Sequence, residues 1–400
     1  MLPKNLELFA GKKMLQKRIV KTFDNLSVEF LDTLSKELLK DRDIRKFPDL
    51  ATFAFWARKK NIINISRKYT SKDEFRVGLG TVFHITPSNM PVNFMYSFAF
   101  GLLSGNSNVV RVSEKKFIQA KIFFKYFKKL GNKKKFTSIY ESNVFLNYPK
   151  DNLDVSKYYS MNCDARIIWG SDDTVKNFNK ISTKPKTKII NFPERYSICA
   201  INLDSLKKIK KNELKKLILN FYNDTYLNDQ NACTSPQMII WVGKMSENLR
   251  NNFWKELEKI VRKNYKLEEI VSIKKYSNLL SDILLRDKYF KKIYKHENYI
   301  YRILLKKFSN IHKMSDFKGK WGYFFELQLK KLEEILAITN NKIQTLSYYG
   351  FKKQNLKKML KNNQFEGIDR IVPVGRTLDM DVVWDGFDLP NTLSRIIEVK

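Results

Sequence analysis

The sequence predicts an α/β protein built around a doubly wound sheet. Two observations carry that prediction. From residue 76 the chain runs strand, loop, helix, strand ("RVGLGTVFHI", "TPSNMPVN", "FMYSFAFGLLSGN", "NVVRVSEK"), the βαβ unit of such a sheet. The pattern then repeats. "FIQAKIFFKYFKKLG" reads as a helix stopped by Gly131, and "ARIIWGSDDTVKNFNKI" as a strand, a turn at Gly170 and a helix. "KTKIINFP" and "SICAINLD" read as further strands.

Each element has its own signal. Residues 1 to about 75 read as mainly helical: "LSVEFLDTLSKELLKD" carries apolar residues at helix spacing, and "FPDLATFAFWARKKNI" has Pro48 near its start. A strand follows over 76–85. The helix after it is apolar all round, hence buried, and ends at Gly105 and Asn106. Beyond about 205, a long helix, "LKKIKKNELKKLILNFYNDTYL", leads to the loop "NDQNACTSPQ" and the strand "MIIWVG". A Lys-rich helical block fills 246–310. "WGYFFELQL" and "NNKIQTLSYYG" are strands within 320–350, and "GIDRIVPVGRTLDMDVVWDG" is a strand with an acidic turn. The divisions expected are 1–75, 76–204, 205–370 and 371–400. No repeat or low-complexity tail appears.

Composition narrows the function classes. Four hundred residues suffice for two or three domains. No stretch approaches the roughly 18 to 20 apolar residues of a membrane span, and the first residues do not read as a secretory signal. A soluble cytoplasmic protein is expected. Three scattered cysteines (Cys163, Cys199, Cys233) and three histidines (His84, His296, His312) make neither a disulfide scaffold nor a metal cage, so no metal site is expected. The formal charge of +34 invites a nucleic-acid reading. The lysines, however, are spread over many segments at helical spacing and read as solvated faces, so no nucleic acid is expected. Such a surface still attracts anions: a polyphosphate cofactor, an acidic carrier protein or a membrane surface.

Four places can carry chemistry. Cys233 lies between small and polar neighbours just before a strand. A nucleophilic cysteine needs such access, together with donors near a developing oxyanion. The bland alternative is a buried thiol acting as a small hydrophobe. In "HITPSNMPVN", Pro87 and Pro91 bracket Asn89 at the carboxyl end of a strand, where ligands sit in an open α/β sheet. Its amide can donate to an oxyanion, or merely shape the turn; His84 reads as structural. Gly170 and Ser171, after a strand and before a helix, could hold a phosphate on backbone N–H groups. Arg111, at a strand end, could bind one bidentately.

Together, "GTVFHITPSNMPVN", "GLLSGNSNVVRVSE", "RIIWGSDDTV", "NDQNACTSPQ" and "DRIVPVGRTLDMDVVWDG" resemble LuxC-type fatty acyl-CoA reductases, which belong to the aldehyde dehydrogenase superfamily and make aldehydes for bacterial luminescence. The resemblance spans about 76 to 395. It implies an aldehyde dehydrogenase-like fold, a Rossmann-type dinucleotide-binding domain plus an α/β catalytic domain. It implies that Cys233 is the acylated cysteine and that Asn89, with the Cys233 backbone N–H, forms the oxyanion hole. Gly170 and Ser171 would be the phosphate-side turn under the nicotinamide dinucleotide. Arg111 and Glu114, with Ser113 between them, would sit by the adenosine ribose. Arginine there suits NADPH, although glutamate can favour NADH.

One departure is informative. Oxidising aldehyde dehydrogenases carry a water-activating glutamate in an ELGGK-like segment; here the region reads "NFPERYSICAIN", without the glycine pair. Glu194 reads as a surface or structural carboxylate rather than a base. A reductase must keep its acyl-enzyme from water, so the departure fits reduction. The resemblance also implies an acyl-CoA or acyl-carrier substrate and an acyl-protein synthetase as partner, and a homo-oligomer stays open. Two rival readings remain: an aldehyde dehydrogenase working in the oxidising direction, and a basic nucleic-acid or membrane-surface binding protein on an inactive scaffold.

Overall fold

The structure is a computed structural model that describes residues 6–69, 75–306 and 316–400. The chain forms two compact units, one from residues up to 194 together with 380–400, the other from 195–379.

The first unit opens with strand β1 (Glu7–Ala10) and helices α1 (Asn25–Lys40), α2 (Pro48–Trp56) and α3 (Lys59–Ser66). Asp24 caps α1 through the Ser27 amide, and Pro48 starts α2, where its missing N–H costs nothing. Then come β2 (Phe75–Gly78), β3 (Thr81–Ile85), α4 (Asn93–Leu103), β4 (Ser107–Arg111), α5 (Ile118–Gly131), α6 (Thr137–Glu141), β5 (Asn143–Asn147), α7 (Leu153–Asn162), β6 (Ala165–Trp169), α8 (Asp172–Asn179) and β7 (Lys188–Phe192). Among the described residues the sheet order is β1-β5-β4-β3-β6-β7. All neighbours are parallel except β1, which pairs antiparallel with β5 at the edge. The order reverses at β3, so the crevice of this Rossmann-type sheet opens beyond the carboxyl ends of β3 and β6. Alternate residues of the parallel strands feed two separate cores: Val82, Val110, Phe145 and Ile167 enter one, and Phe83, Val109, Val144 and Ile168 the other. Both faces are covered, as a parallel sheet requires. From the chain end, Val382, Trp384, Leu389 and Leu393 join the first core, and strand Ser394–Ile397 pairs antiparallel with β2.

The second unit contains β8 (Tyr196–Asn202), α9 (Leu203–Lys207), α10 (Lys211–Thr225), β9 (Pro236–Val242), α11 (Glu247–Asn264), α12 (Glu269–Arg286), β10 (Phe290–His296), β11 (Ile300–Leu305), β12 (Tyr323–Leu329), β13 (Ile343–Tyr349), α13 (Lys353–Asn362) and β14 (Arg370–Pro373). Its sheet runs β10-β11-β12-β9-β8-β13-β14, with β9 central and only β10 antiparallel to its neighbour.

Several elements differ from the sequence reading. The strand expected over 76–85 is two strands in different sheets. Gly78 and Gly80 break it, and a Cβ at Gly78 would lie 2.2 Å from the Gly105 carbonyl oxygen. The mainly helical N-terminal stretch begins with β1. The long helix near 205 is split into α9 and α10. The Lys-rich block ends in the β10–β11 hairpin, because β10 is an edge strand whose outward positions carry lysines.

Candidate active site

Six of the seven candidate residues fall in the first unit, on loops at the carboxyl edge of its sheet. Ile85 pairs with Arg111 on one side and Ile168 on the other. The ends of β4, β3 and β6 therefore lie side by side, and with them Arg111, the Asn89 loop and the Gly170 turn. The Thr86 hydroxyl donates to the Arg111 carbonyl at 2.7 Å, which ties the root of the Asn89 loop to the end of β4. Asn89 itself is exposed.

Arg111 is mostly buried. Its guanidinium lies over the Tyr148 ring at 4.6 Å, donates to the Tyr148 carbonyl at 3.1 Å and stands 3.9 Å from Glu114. Its Nε is buried without a hydrogen-bond partner among the described residues. Glu114 lines a cleft of about 520 Å³, together with Glu7 and the loop after β5, Asn147–Asp151. The Ser113 hydroxyl accepts from the Lys115 amide at 3.2 Å and shapes the turn.

The Gly170 turn needs a correction. The Gly170 amide donates to the Phe192 carbonyl at 3.2 Å, so sheet pairing has already used one of the N–H groups that could hold a phosphate. The glycine serves space instead: a Cβ there would lie 2.8 Å from the Thr174 side chain. Ser171 caps α8, accepting from the Thr174 amide at 3.3 Å, and Asp172 and Asp173 follow in the first turn. Two carboxylates there oppose an anion. The cleft carries Glu7, Glu114 and Asp151 against Lys150, so it fits the ribose hydroxyls of a dinucleotide better than its phosphates. Arg111, Ser113 and Glu114 are the residues that would hold one.

Cys233 stands in the second unit, at the amino end of the central strand β9. It is the exposed one of the three cysteines. Burial pushes the Cys163 thiol up to about 11 and the Cys199 thiol up to about 12, so both stay protonated and shielded. Ala232 and Thr234 on either side of Cys233 are buried, and the Ser235 amide closes a turn on the Ala232 carbonyl at 2.9 Å. The turn thrusts one side chain outward between two anchored ones. From below, the Ser197 hydroxyl donates to the Cys233 carbonyl at 2.6 Å.

The residues that fix this loop were missed from the sequence. Asp229 and Gln230 both adopt left-handed backbone, with φ of 51° and 58°, a conformation non-glycine residues hold only where their surroundings enforce it. The buried Gln230 amide supplies the enforcement. Its Nε2 donates to the Pro236 carbonyl at 3.0 Å and the Tyr323 carbonyl at 3.2 Å, and its Oε1 accepts from the Gly322 amide at 3.1 Å. Asp229 accepts from the Tyr265 hydroxyl at 2.6 Å. Asp224 was missed too. Its buried carboxylate accepts from the amides of Gly375 (2.6 Å) and Thr377 (3.1 Å), while Arg370 donates to the Thr377 carbonyl at 2.8 Å and the Arg376 carbonyl at 3.0 Å. Burial pushes the Asp224 carboxyl up to about 6 despite those amides. The "VGRTLD" loop is thus gripped on both its N–H and C=O sides. Side chains so distant in sequence leave no local motif.

Other candidates take structural places. His84 is buried, 2.7 Å from the Ser97 hydroxyl and 2.9 Å from Asn108 Oδ1, and burial pulls it down to about 4. His296 faces Glu258 at 2.8 Å, and His312 lies outside the described residues. Glu194 is an exposed residue after β7 whose amide donates to Asp172 at 3.2 Å. Among the described residues, no group of three or more His, Cys, Asp or Glu could hold a metal, and no helix is long and apolar enough to cross a membrane.

The fold these units define is that of aldehyde dehydrogenases. Similar solved structures include lactaldehyde dehydrogenase (15% identity, 86% of this chain and 78% of that one, TM-score 0.59). Aldehyde dehydrogenase 21 from Physcomitrella patens matches at 11% identity over 93% and 85%, TM-score 0.61. An NAD-dependent aldehyde dehydrogenase from Sinorhizobium meliloti matches at 12% identity over 88% and 74%, TM-score 0.62. No curated protein sequence matches the chain. Residues 59–396 match the acyl-CoA reductase (LuxC) family, and the chain belongs to it. That makes it an enzyme of the acyl-CoA reductase type.

Proposed function

We propose that this enzyme reduces a fatty acyl thioester, from CoA or an acyl carrier, to the aldehyde through an acyl-Cys233 intermediate, with NADPH as the reductant. The observation that carries the reading is the single exposed cysteine, held on a loop that Gln230 and Ser197 lock from beneath. The Cys233 thiolate attacks the thioester carbonyl. A carbon–sulfur bond forms, the tetrahedral oxyanion collapses, and the donor thiol leaves as the acyl group stays on Cys233. Bound nicotinamide supplies the hydride that reduces this acyl group. Collapse of the second oxyanion breaks the Cys233 bond, returning the thiolate and releasing the aldehyde.

Asn89 donates its amide to both oxyanions, a role the family resemblance implies. Arg111, Ser113 and Glu114 would hold the adenosine end of the cofactor. Glu194 does not activate water, which preserves the acyl-enzyme for reduction. The protein acts in the cytoplasm, receiving its acyl group from an acyl-protein synthetase.

The test is NADPH consumption with an acyl-CoA chain-length series, wild type against Cys233→Ala, with NADH, a carrier-linked acyl group and aldehyde plus NADP⁺ in parallel. The reading expects NADPH loss that needs Cys233 and yields aldehyde. Faster aldehyde oxidation than acyl reduction would reverse the assigned direction. No Cys233-dependent turnover with any donor would end it.

A further inference from the structure

Helix α12 is inside out. Its inward face carries Lys275 and Asp282, both buried, around Leu279. Its outward face carries Ile270, Ile273, Tyr276, Leu280 and Leu284. These recur every three or four residues and so form one stripe along the helix. They are genuinely exposed: Ile273 at 62% and Leu284 at 83%, with Leu285 beside them at 68%.

The helix cannot turn over to hide the stripe. Lys275 Nζ donates to the carbonyls of Asn298, Tyr299 (3.2 Å) and Trp321 (2.9 Å). Asp282 accepts from the Tyr323 hydroxyl at 2.7 Å and pairs with Arg286. Rotation would strand these groups. The polar inner face fixes the helix, and among the described residues the apolar stripe is left uncovered.

The stripe's rim says what that is. Lys274 lies on the helix beside it. On β10, Ile293 and Lys295 share one face, and Lys295 Nζ stands 4.9 Å over the Tyr276 ring, which places that face against the stripe. The exposed acidic residues of the stretch, Glu268, Glu269 and Asp287, sit at the helix ends. A second copy docking through this face would set these lysines against each other. An anionic, apolar layer meets both features.

We infer that α12 and the adjoining face of β10 dock on the surface of a bilayer containing anionic phospholipid. The stripe enters the headgroup–acyl boundary, and Lys274 and Lys295 meet the phosphates. This is the arrangement of an interfacial amphipathic helix. The inference does not depend on the reaction proposed above.

The experiment is co-sedimentation of the full chain with vesicles of phosphatidylcholine plus phosphatidylglycerol, or of phosphatidylcholine alone. Leu280→Glu/Leu284→Glu is compared with Met14→Glu/Val399→Glu, which makes the same charge change at exposed sites elsewhere. Circular dichroism confirms that each variant is folded. Wild type and the control pair should bind the anionic vesicles, and the α12 pair roughly tenfold or more weakly. The net charge alone could hold the protein on such vesicles, so equal binding by the two pairs overturns the inference. So does wild type that stays in the supernatant, the outcome expected of a surface made for an acidic protein. Sedimentation equilibrium showing a dimer that only the α12 pair dissolves, with vesicle binding unchanged, would reassign the stripe to self-association.

Discussion

The first unit spreads its candidate residues over the ends of three neighbouring strands; the second presents one cysteine on a turn clamped from below. A surface assembled from many loops binds by summed contacts, and losing one member weakens it. A nucleophile is a single atom, and its loss removes the covalent path altogether. The largest effect therefore belongs to the second unit. Cys233→Ala should lower turnover more than about 1,000-fold while leaving the melting temperature near wild type, since the side chain is exposed. Cys163→Ala and Cys199→Ala should instead cost stability and spare the chemistry. Kinetics and melting curves on the three variants test this, and an active Cys233→Ala enzyme would sink the comparison at its strongest point.

The interiors differ as well. Beneath the first unit's site runs a neutral chain: Trp169 and His84 on Ser97, then His84 to Asn108 and Asn108 to Asn143. The second unit instead buries Glu326, which accepts from Trp241 (2.7 Å), Trp254 (3.0 Å) and Arg302 (3.2 Å). Only the neutral chain contains a histidine. His84 is held down at about 4 against an ordinary 6.5, so the unfolded chain binds a proton that the folded one refuses. Its contribution is fully present above pH 6.5 and is lost as pH falls toward 4, about 3 kcal/mol in all. Urea unfolding of wild type and His84→Asn at pH 7 and pH 4.5 should show a smaller acid loss in the variant. Hydrogen exchange should show the first unit opening first. Equal acid losses in the two proteins would mean that His84 titrates freely.

The third effect tests whether Asn89 serves the same chemistry as Cys233. Asn89→Ala should lower kcat about 100-fold, roughly 3 kcal/mol of transition-state stabilisation, with little change in folding because the residue is exposed. Full activity in the variant would return Asn89 to the role of a turn residue.

How much of this was legible follows from the range of the interactions. The βαβ order and the loop carrying Cys233 are local patterns, and both could be read along the chain. β1 could not, because its strand partner among the described residues is β5, more than a hundred residues away. The β10–β11 hairpin was hidden for a different reason. Lys291, Lys292 and Lys295 face outward on an edge strand, and in a Lys-rich stretch they imitate the solvated face of a helix. Gln230 lay inside a quoted motif, yet its role depends on Gly322 and Tyr323, which only the fold brings near. Gly170 misled because a glycine after a strand suggests an available amide, and its amide is spent on Phe192.

The smallest effect probes the distributed side of the comparison. Arg111 already makes two contacts with Tyr148, so part of its guanidinium serves the protein itself. What remains for a ligand is the small part of the side chain left exposed, 12%. Arg111→Ala should therefore weaken NADPH binding about tenfold, one charge-assisted contact among several, and leave kcat at saturating cofactor nearly unchanged. NADH, lacking the 2′-phosphate, should lose less. Arg111→Lys should restore part of the NADPH affinity, since a point charge survives while the planar fork does not. Calorimetric titration measures all three without turnover. If NADPH affinity does not move, the dinucleotide lies away from Arg111 and the cleft beside Glu114. If kcat falls with it, Arg111 positions the reacting groups, and the first unit's edge is as indivisible as the cysteine turn.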